Sequence, residues 1–276
     1  MNKTVGIIGL GLIGGSLAKA LKLNTTNIVC GSDADEGVVS TALSENAIDE
    51  RLVDLGRCDI ILIALYPNDT VDFVKSNIDD IKRGAVIIDC AGVKSPICEE
   101  LSELCNNDGK YFIGGHPMAG VEKSGYSNSF AHLFNGATMI LCTDKFTNSV
   151  AIKAAELLFT NIGFKQVVTT TAAEHDRIIA YTSQLAHIVS SAFIKSETAK
   201  NQEGFSAGSY KDLTRVAFLN ENMWSELFML NRQNLSFEIN KLIERLGEYA
   251  GALEEADMER LKKLLIDGKR EKEAIG

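Results

Sequence analysis

The chain has 276 residues, a net charge of −9 and a hydrophobic share of 45%, enough for two domains with sizeable cores. The charge is spread along the chain with no basic stripe, which excludes nucleic acid as an expected partner. The longest uncharged apolar stretch near the start, Val5 to Ala18, is too short and glycine-rich to span a bilayer, and no charged segment with a cleavage site precedes it, so a cytoplasmic protein is expected.

Six cysteines (Cys30, Cys58, Cys90, Cys98, Cys105 and Cys142) lie in the first half with no CxxC pair. They read as reduced, mostly buried residues, and no metal site is expected. Val5 to Ile8 runs into Gly9-Leu10-Gly11-Leu12-Ile13-Gly14, and an apolar-periodic segment follows to Leu21. This is strand, tight turn and helix. Gly9 permits the turn, Gly11 admits a pyrophosphate, and Gly14 lets the helix pack on its strand. The phosphates would rest on the first amides of the helix, at Leu12 and Ile13. Asn27 to Ser32 reads as the second strand, and Asp33 ends it 19 residues after Gly14, where a carboxylate accepts from the ribose hydroxyls of NAD.

Strands and helices then alternate. Asp59 to Ala64 is a continuous apolar run, as in a strand buried on both faces. Leu65 and Pro67 follow it at the turn and are expected beside the cofactor. Asp69 to Lys82 is amphipathic and helical, and Ala85 to Asp89 is the next buried strand. Ser95-Pro96 places a cap and a proline at the start of a helix to about Cys105. Tyr111 to Gly115 and Ala137 to Cys142 are further strands. The alternation predicts an α/β fold, a Rossmann-type doubly wound sheet over residues 1–145.

An all-helical dimerisation domain is expected over 146–276. Asn148 to Ile162 is helical, with one last strand expected over Phe164 to Thr169. Thr171-Ala172-Ala173-Glu174 is a capping box that opens a helix to about Ala199, and Ser209 to Asp212 carries the same signature with an aspartate. From Asn222 onward, Leu227, Leu230, Leu235, Ile239, Leu242, Leu246 and Tyr249 recur at helical spacing. Helices with so much apolar face and little to cover it predict a homodimer.

His116 ends a strand within Gly114-Gly115-His116-Pro117-Met118-Ala119-Gly120, at the carboxyl side of the sheet where ligands bind. On position alone it is either a general base near a nicotinamide or a histidine capping a loop. On the long helix, regular spacing puts Asp176, Ala180, Ser183 and His187 on one face, either as a packing network or as the wall of a site. Arg215, after Asp212-Leu213-Thr214, is suited to a bidentate grip on a carboxylate, or else to a surface ion pair. Trp224, the only tryptophan, follows nine residues later, and most single tryptophans are core. His132 has no motif around it.

VGIIGLGLIGGS from Val5, GGHPMAGVEKSG from Gly114, EHD from Glu174, TSQLAH from Thr182 and AGSYKDLTRVA from Ala207 together, in this order, closely resemble the prephenate dehydrogenase family. The resemblance implies an NAD(P)-dependent oxidative decarboxylation in tyrosine biosynthesis, with prephenate giving 4-hydroxyphenylpyruvate or arogenate giving tyrosine; NAD is the cofactor expected from Asp33. It implies His116 as the catalytic histidine and Arg215 as the substrate-carboxylate residue. It also implies a pocket lined by His187, Glu122, Gly208, Asp212 and Trp224. The chain departs from the family's frequent pattern at Val121, Gly92, Gln184 and Ala186, so contacts from those side chains are not carried over. Two other classes are weighed beside it. One is another dehydrogenase with a Rossmann domain and helices, of β-hydroxyacid dehydrogenase or pyrroline carboxylate reductase type, against which the HPMAG and DLTR motifs speak. The other is a non-enzymatic NAD-sensing module, which predicts binding without turnover.

Overall fold

The computed structural model describes residues 2–121 and 123–276. Its first half runs β1 (Thr4–Ile8), α1 (Leu12–Asn24), β2 (Ile28–Ser32), α2 (Glu36–Ser44), β3 (Glu50–Arg51), β4 (Ile60–Ile63), α3 (Pro67–Asn77), β5 (Val86–Asp89), α4 (Ser95–Asn107), β6 (Tyr111–Pro117), β7 (Thr138–Cys142), α5 (Ser149–Asn161) and β8 (Gln166–Thr170). Among the described residues these strands form one sheet, ordered β3-β2-β1-β4-β5-β6-β7-β8. Every pairing is parallel except β6 with β7. The order reverses between β1 and β4, and that switch point opens the crevice in which such sheets bind ligands.

Apolar residues on both faces of the central strands explain the two layers of helices. Ile60 and Leu62 of β4 join a core with Leu17 and Leu21 of α1 and Ala155 and Phe159 of α5. Ile61 and Ile63 face the other way, onto Val74 of α3 and Ile97 and Leu101 of α4. Strand side chains alternate between faces, so an unbroken apolar run requires cover on both sides. All six cysteines are free, and all but Cys98 are buried.

The last expected strand is β8, paired in parallel with β7. Helix α5 packs against it, and its Ala151, Ala155, Leu158 and Phe159 complete a sheet core. The sheet-bearing half therefore reaches Thr170 rather than residue 145. Helix α3 begins at Pro67, two residues before the expected Asp69. Helix α4 has Lys94 at its cap position, with Ser95 and Pro96 already in the first turn.

The second half opens as its capping box predicts: the Thr171 hydroxyl accepts the Glu174 N–H at 3.2 Å at the head of α6 (Ala172–Ile179). The chain then widens into a π turn over Ala180–Leu185 before α7 (Ala186–Phe193), which ends short of Ala199. The buried pairs step from Ile179 and Ala180 to Gln184 and Leu185, five residues rather than four. The stripe expected from regular spacing is therefore broken: Gln184 takes the buried place expected for Ser183, which is part-exposed. Helix α8 (Gly208–Thr214) starts on Ala207 with no side-chain cap, so the signature read at Ser209 does not form. Then come α9 (Glu221–Leu230), α10 (Arg232–Glu254) and α11 (Met258–Ile275). Leu235 and Ala252 are the buried residues of α10, whereas Phe237, Ile243, Leu246 and Leu253 are exposed. No helix among the described residues is long and apolar enough to cross a membrane.

Candidate active site

The turn between β1 and α1 is shaped around its glycines. Gly9 has φ +83°, and a Cβ on it would meet the Ala64 carbonyl oxygen at 2.7 Å. A Cβ on Gly14 would fall 1.8 Å from the Gly9 carbonyl oxygen, so only glycine lets α1 sit this close to its strand. Gly11 faces open space and caps α1 without a side chain, leaving the first amides, at Leu12 and Ile13, for an outside anion. Leu65 lies over this turn, 2.9 Å from where a Gly9 Cβ would be, while Pro67 is buried in the first turn of α3.

Asp33 is locked into the same turn. Its Oδ2 accepts the Leu10 N–H at 2.7 Å and its Oδ1 the Asp35 N–H at 2.9 Å. A carboxylate offers about four acceptor sites, which leaves two for ribose hydroxyls. Anion-ready amides, an open glycine and a fixed acid at the switch point together fit a dinucleotide such as NAD.

The candidate base lies at the carboxyl ends of β5 and β6. Past Ile113, β6 leaves β5 and pairs only with β7, which carries His116 to the rim opposite Ile140. Beneath it, Lys94 and Asp89 form a fully buried ion pair. The Lys94 Nζ also donates to the Gly115 carbonyl at 2.6 Å, and Asp89 Oδ1 accepts the Gly115 N–H at 3.1 Å. The backbone next to His116 is thus held from both sides.

From the helical half, Asp176 caps α4: Oδ1 accepts the Lys94 N–H and Oδ2 the Ser95 N–H, each at 2.8 Å. Its neighbour His175 lies between this acid and the candidate base. His175 Nδ1 is 2.7 Å from Asp176 Oδ1, and His175 Nε2 is 2.8 Å from His116 Nδ1. Burial pushes the His116 pKa well below 6.5; the fields of His175 and Lys94 add to this and Asp176 opposes it. Burial likewise lowers the His175 pKa, against the pull of Asp176. His116 is therefore a neutral imidazole near pH 7.

Asn231 secures the arrangement by donating to the Asp176 carbonyl and to Gln184 Oε1, both at 2.8 Å. Gln184 donates onward to the Leu227 carbonyl at 3.3 Å, and Leu227 packs over Gly92. At Gln184, where the family often has histidine, the side chain thus has a packing role.

His187 donates from Nδ1 to the Ser183 carbonyl at 2.8 Å and packs on Trp224, ring centroids 4.1 Å apart. Trp224 in turn touches Phe228, so the single tryptophan is one wall of an aromatic cluster. Arg215 follows α8 in a short turn that packs against α7, the helix of His187. Gly208 and Asp212 lie exposed on α8, and Glu122 lies outside the described residues. The structure thus joins His116 to His175 and Asp176, and His187 to Trp224. Sequence reasoning gave no role to His175, Lys94, Asp89 or Asn231. His175 stood inside the EHD motif, and that was its one signal.

Residues 17–168 match the family profile described as prephenate dehydrogenase, nucleotide-binding domain, and residues 171–267 the one described as prephenate dehydrogenase, dimerization domain. The chain is 30% identical to a prephenate dehydrogenase of Lactococcus lactis subsp. cremoris over 99% of this chain and 77% of that protein. It is 27% identical to a cyclohexadienyl dehydrogenase of Zymomonas mobilis over 92% of this chain and 90% of that one. The solved prephenate dehydrogenase of A. aeolicus, in complex with hydroxyphenyl propionate and NAD+, superposes with a TM-score of 0.88 at 25% identity, covering 100% of this chain and 99% of that one. The two profiles meet where the sheet ends, between β8 and α6, and the first alone spans more than half of the chain: by sequence, by architecture and by the histidine at the rim of its sheet, the chain belongs to the prephenate dehydrogenase family.

Proposed function

We infer that this chain is an NAD-dependent dehydrogenase that oxidatively decarboxylates prephenate to 4-hydroxyphenylpyruvate, or arogenate to tyrosine. The observation that carries the reading is a neutral, partly exposed histidine at the carboxyl edge of the sheet that also holds the dinucleotide turn. The family match sets aside the β-hydroxyacid dehydrogenase and pyrroline carboxylate reductase alternatives.

The substrate ring bears a hydroxyl and a hydrogen at C4 and a carboxylate at C1. Bound NAD+ supplies the acceptor for the hydride that leaves C4. His116 takes the proton of the C4 hydroxyl, so the oxygen becomes a ring ketone. That dienone is a vinylogous β-keto acid: the C1–carboxylate bond breaks, carbon dioxide leaves, and its electron pair flows through the ring to the oxygen. The resulting phenolate takes the proton back from His116. Aromatisation and loss of carbon dioxide make the sequence irreversible. Arg215 grips a substrate carboxylate and sets C4 against the nicotinamide site. His187, Trp224, Gly208 and Asp212 line the pocket around it, and Gly9, Gly11, Leu12, Ile13, Gly14, Asp33, Leu65 and Pro67 hold the cofactor.

The protein works as a cytoplasmic homodimer in this reading. Phe205, Phe218, Phe237, Ile243, Leu246 and Leu253 are exposed, and apolar side chains left bare on a helical domain are covered by a second copy in this reading. The experiment is to mix the pure protein with prephenate or arogenate and with NAD+ or NADP+, and to follow nicotinamide reduction. Turnover of at least one of these substrates with NAD+ is expected. Dinucleotide binding with no turnover of either would overturn the reading in favour of the NAD-sensing module.

A further inference from the structure

We propose that His175 is a positioning residue that fixes His116 in the tautomer with hydrogen on Nδ1 and a bare, basic Nε2. This rests on His116 being the base of the reaction above.

The argument begins at Asp176. Burial alone would raise its pKa, but hydrogen bonds from His175, Ser95 and Lys94 hold it below the usual carboxylate value. It is an ionised, acceptor-only group already taking two backbone N–H bonds. Its third partner, His175 Nδ1 at 2.7 Å, must therefore be an N–H. In a neutral imidazole the other nitrogen is then an acceptor, so His175 Nε2 carries a lone pair. The group 2.8 Å away, His116 Nδ1, must donate to it. His116 Nε2 is left bare. It looks toward Gly92, where a Cβ would lie 4.0 Å from it, so no side chain from that residue screens it.

The opposite tautomer would set two lone pairs face to face at 2.8 Å, or else take from Asp176 its imidazole donor. The charged groups that face the pair are Lys94, with its partner Asp89, and Asp176. Lys94 disfavours a doubly protonated ring at either histidine, which keeps the chain of single protons directional. The orientation of the base is thus set by backbone amides at the head of α4, relayed through an acid and a histidine of α6.

Two variants separate positioning from bulk. His175→Gln places an amide oxygen near the old Nε2 and still accepts from His116. His175→Asn places its amide near the old Nδ1, keeps Asp176 company, and leaves His116 Nδ1 without an acceptor. His175→Asn is expected to lower kcat by about 10-fold or more, with about 10⁴-fold as the upper bound set by loss of the tautomer-fixing acid of a Ser-His-Asp triad. KM for substrate and for NAD+ should stay within about twofold, since neither is touched. His175→Gln should recover most of the lost kcat. Ring nitrogen-15 spectra of the unmodified protein, assigned with His116→Asn, should show a protonated Nδ1 and a bare Nε2 at His116, and a mixture in His175→Asn. An Nε2–H at His116 in the unmodified protein, or full kcat in His175→Asn, would overturn the proposal. The spectrum decides it even if the variants do not fold. Loss of turnover in His116→Asn with none in His175→Asn sinks the positioning role alone, whereas a protein inactive on both substrates sinks the reaction while the spectrum still reports the tautomer.

Discussion

The carboxylate of Glu226 accepts the backbone N–H of Asn68 at 2.8 Å. Glu226 belongs to α9 and Asn68 to the first turn of α3, which has no cap of its own from Tyr66. An acid of the helical half therefore caps a helix of the sheet, beside Pro67 in the same turn and the loop that carries Leu65. Anions favour this end of a helix, and a lost cap typically costs about 1 kcal/mol. Glu226→Ala should lower stability by about that amount in chemical denaturation, and should raise KM for NAD+ a few-fold because α3 is then less firmly placed. Unchanged values for both would show that the contact does not tie the halves together.

His116→Asn should keep the fold and NAD+ binding but lower kcat by about 10²- to 10⁴-fold, the usual range for a general base. The pH dependence follows from the sign of the shift. The imidazole pKa is depressed, so the basic form persists below pH 6.5, and the acid limb of kcat should lie well below that value. Above the limb the rate should be flat through neutrality. A limb at or above pH 6.5 that vanishes in His116→Asn would show that the neutral ring is not favoured as described.

Lys94→Met removes the cation that lies under both histidines. Asp89 would then be buried without its partner, a loss of about 3–5 kcal/mol. The double variant Lys94→Met with Asp89→Leu should regain much of that stability, since an apolar pair of similar volume replaces the ion pair. Lys94 disfavours the charged form of His116, so in the double variant the acid limb should move to higher pH. Thermal unfolding and a pH–rate profile of the two variants measure both effects.

Arg215→Gln should raise KM for the substrate by about 10- to 100-fold, the value of a charged hydrogen bond. KM for NAD+ should barely move, because the guanidinium is assigned to the substrate and not to the adenosine. Steady-state kinetics with each ligand varied in turn decides it; a fall in NAD+ affinity alone would remove Arg215 from the substrate pocket.

A strong preference for NAD+ over NADP+ is expected from Asp33, which faces a 2′-phosphate with like charge. No lysine or arginine lies between Asp33 and Asn46. The fold does bring Arg51 of β3 to this region, but there it is paired with Glu36. Asp33→Ser should weaken NAD+ binding and narrow the gap between the cofactors while leaving the acid limb set by His116 in place. It should also loosen the glycine turn, since Leu10 N–H loses its acceptor. Equal kcat/KM for the two cofactors in the unmodified protein would show that Asp33 does not reach the ribose.

The parts of this molecule that were readable in the sequence are those whose constraints are local. The turn from Gly9 to Gly14 needs particular residues at fixed offsets, and Asp33 falls at a set distance along the chain. Capping at Thr171 is equally local. Strand β8 falls on the expected Phe164–Thr169 stretch, although, as a mostly exposed edge strand, it shows no apolar run to mark it. Lys94 carries nothing that marks it as buried, since a lysine before a helix reads as a solvent group. The partnership of His116 and His175 spans 59 residues and exists only once α6 docks on α4.

The π turn over Ala180–Leu185 has a consequence for how this site can change. It lies between His175 and Asp176, which reach His116, and His187, which stacks on Trp224. Each residue added to or removed from a helix rotates everything beyond it by about 100°. The π turn already holds one residue more than an α turn, so a single-residue deletion within it should restore a regular turn and leave both His187 on the indole and Asp176 on Lys94 and Ser95. The extra residue is the slack by which one continuous helix sets His175 against His116 at one end and His187 against Trp224 at the other.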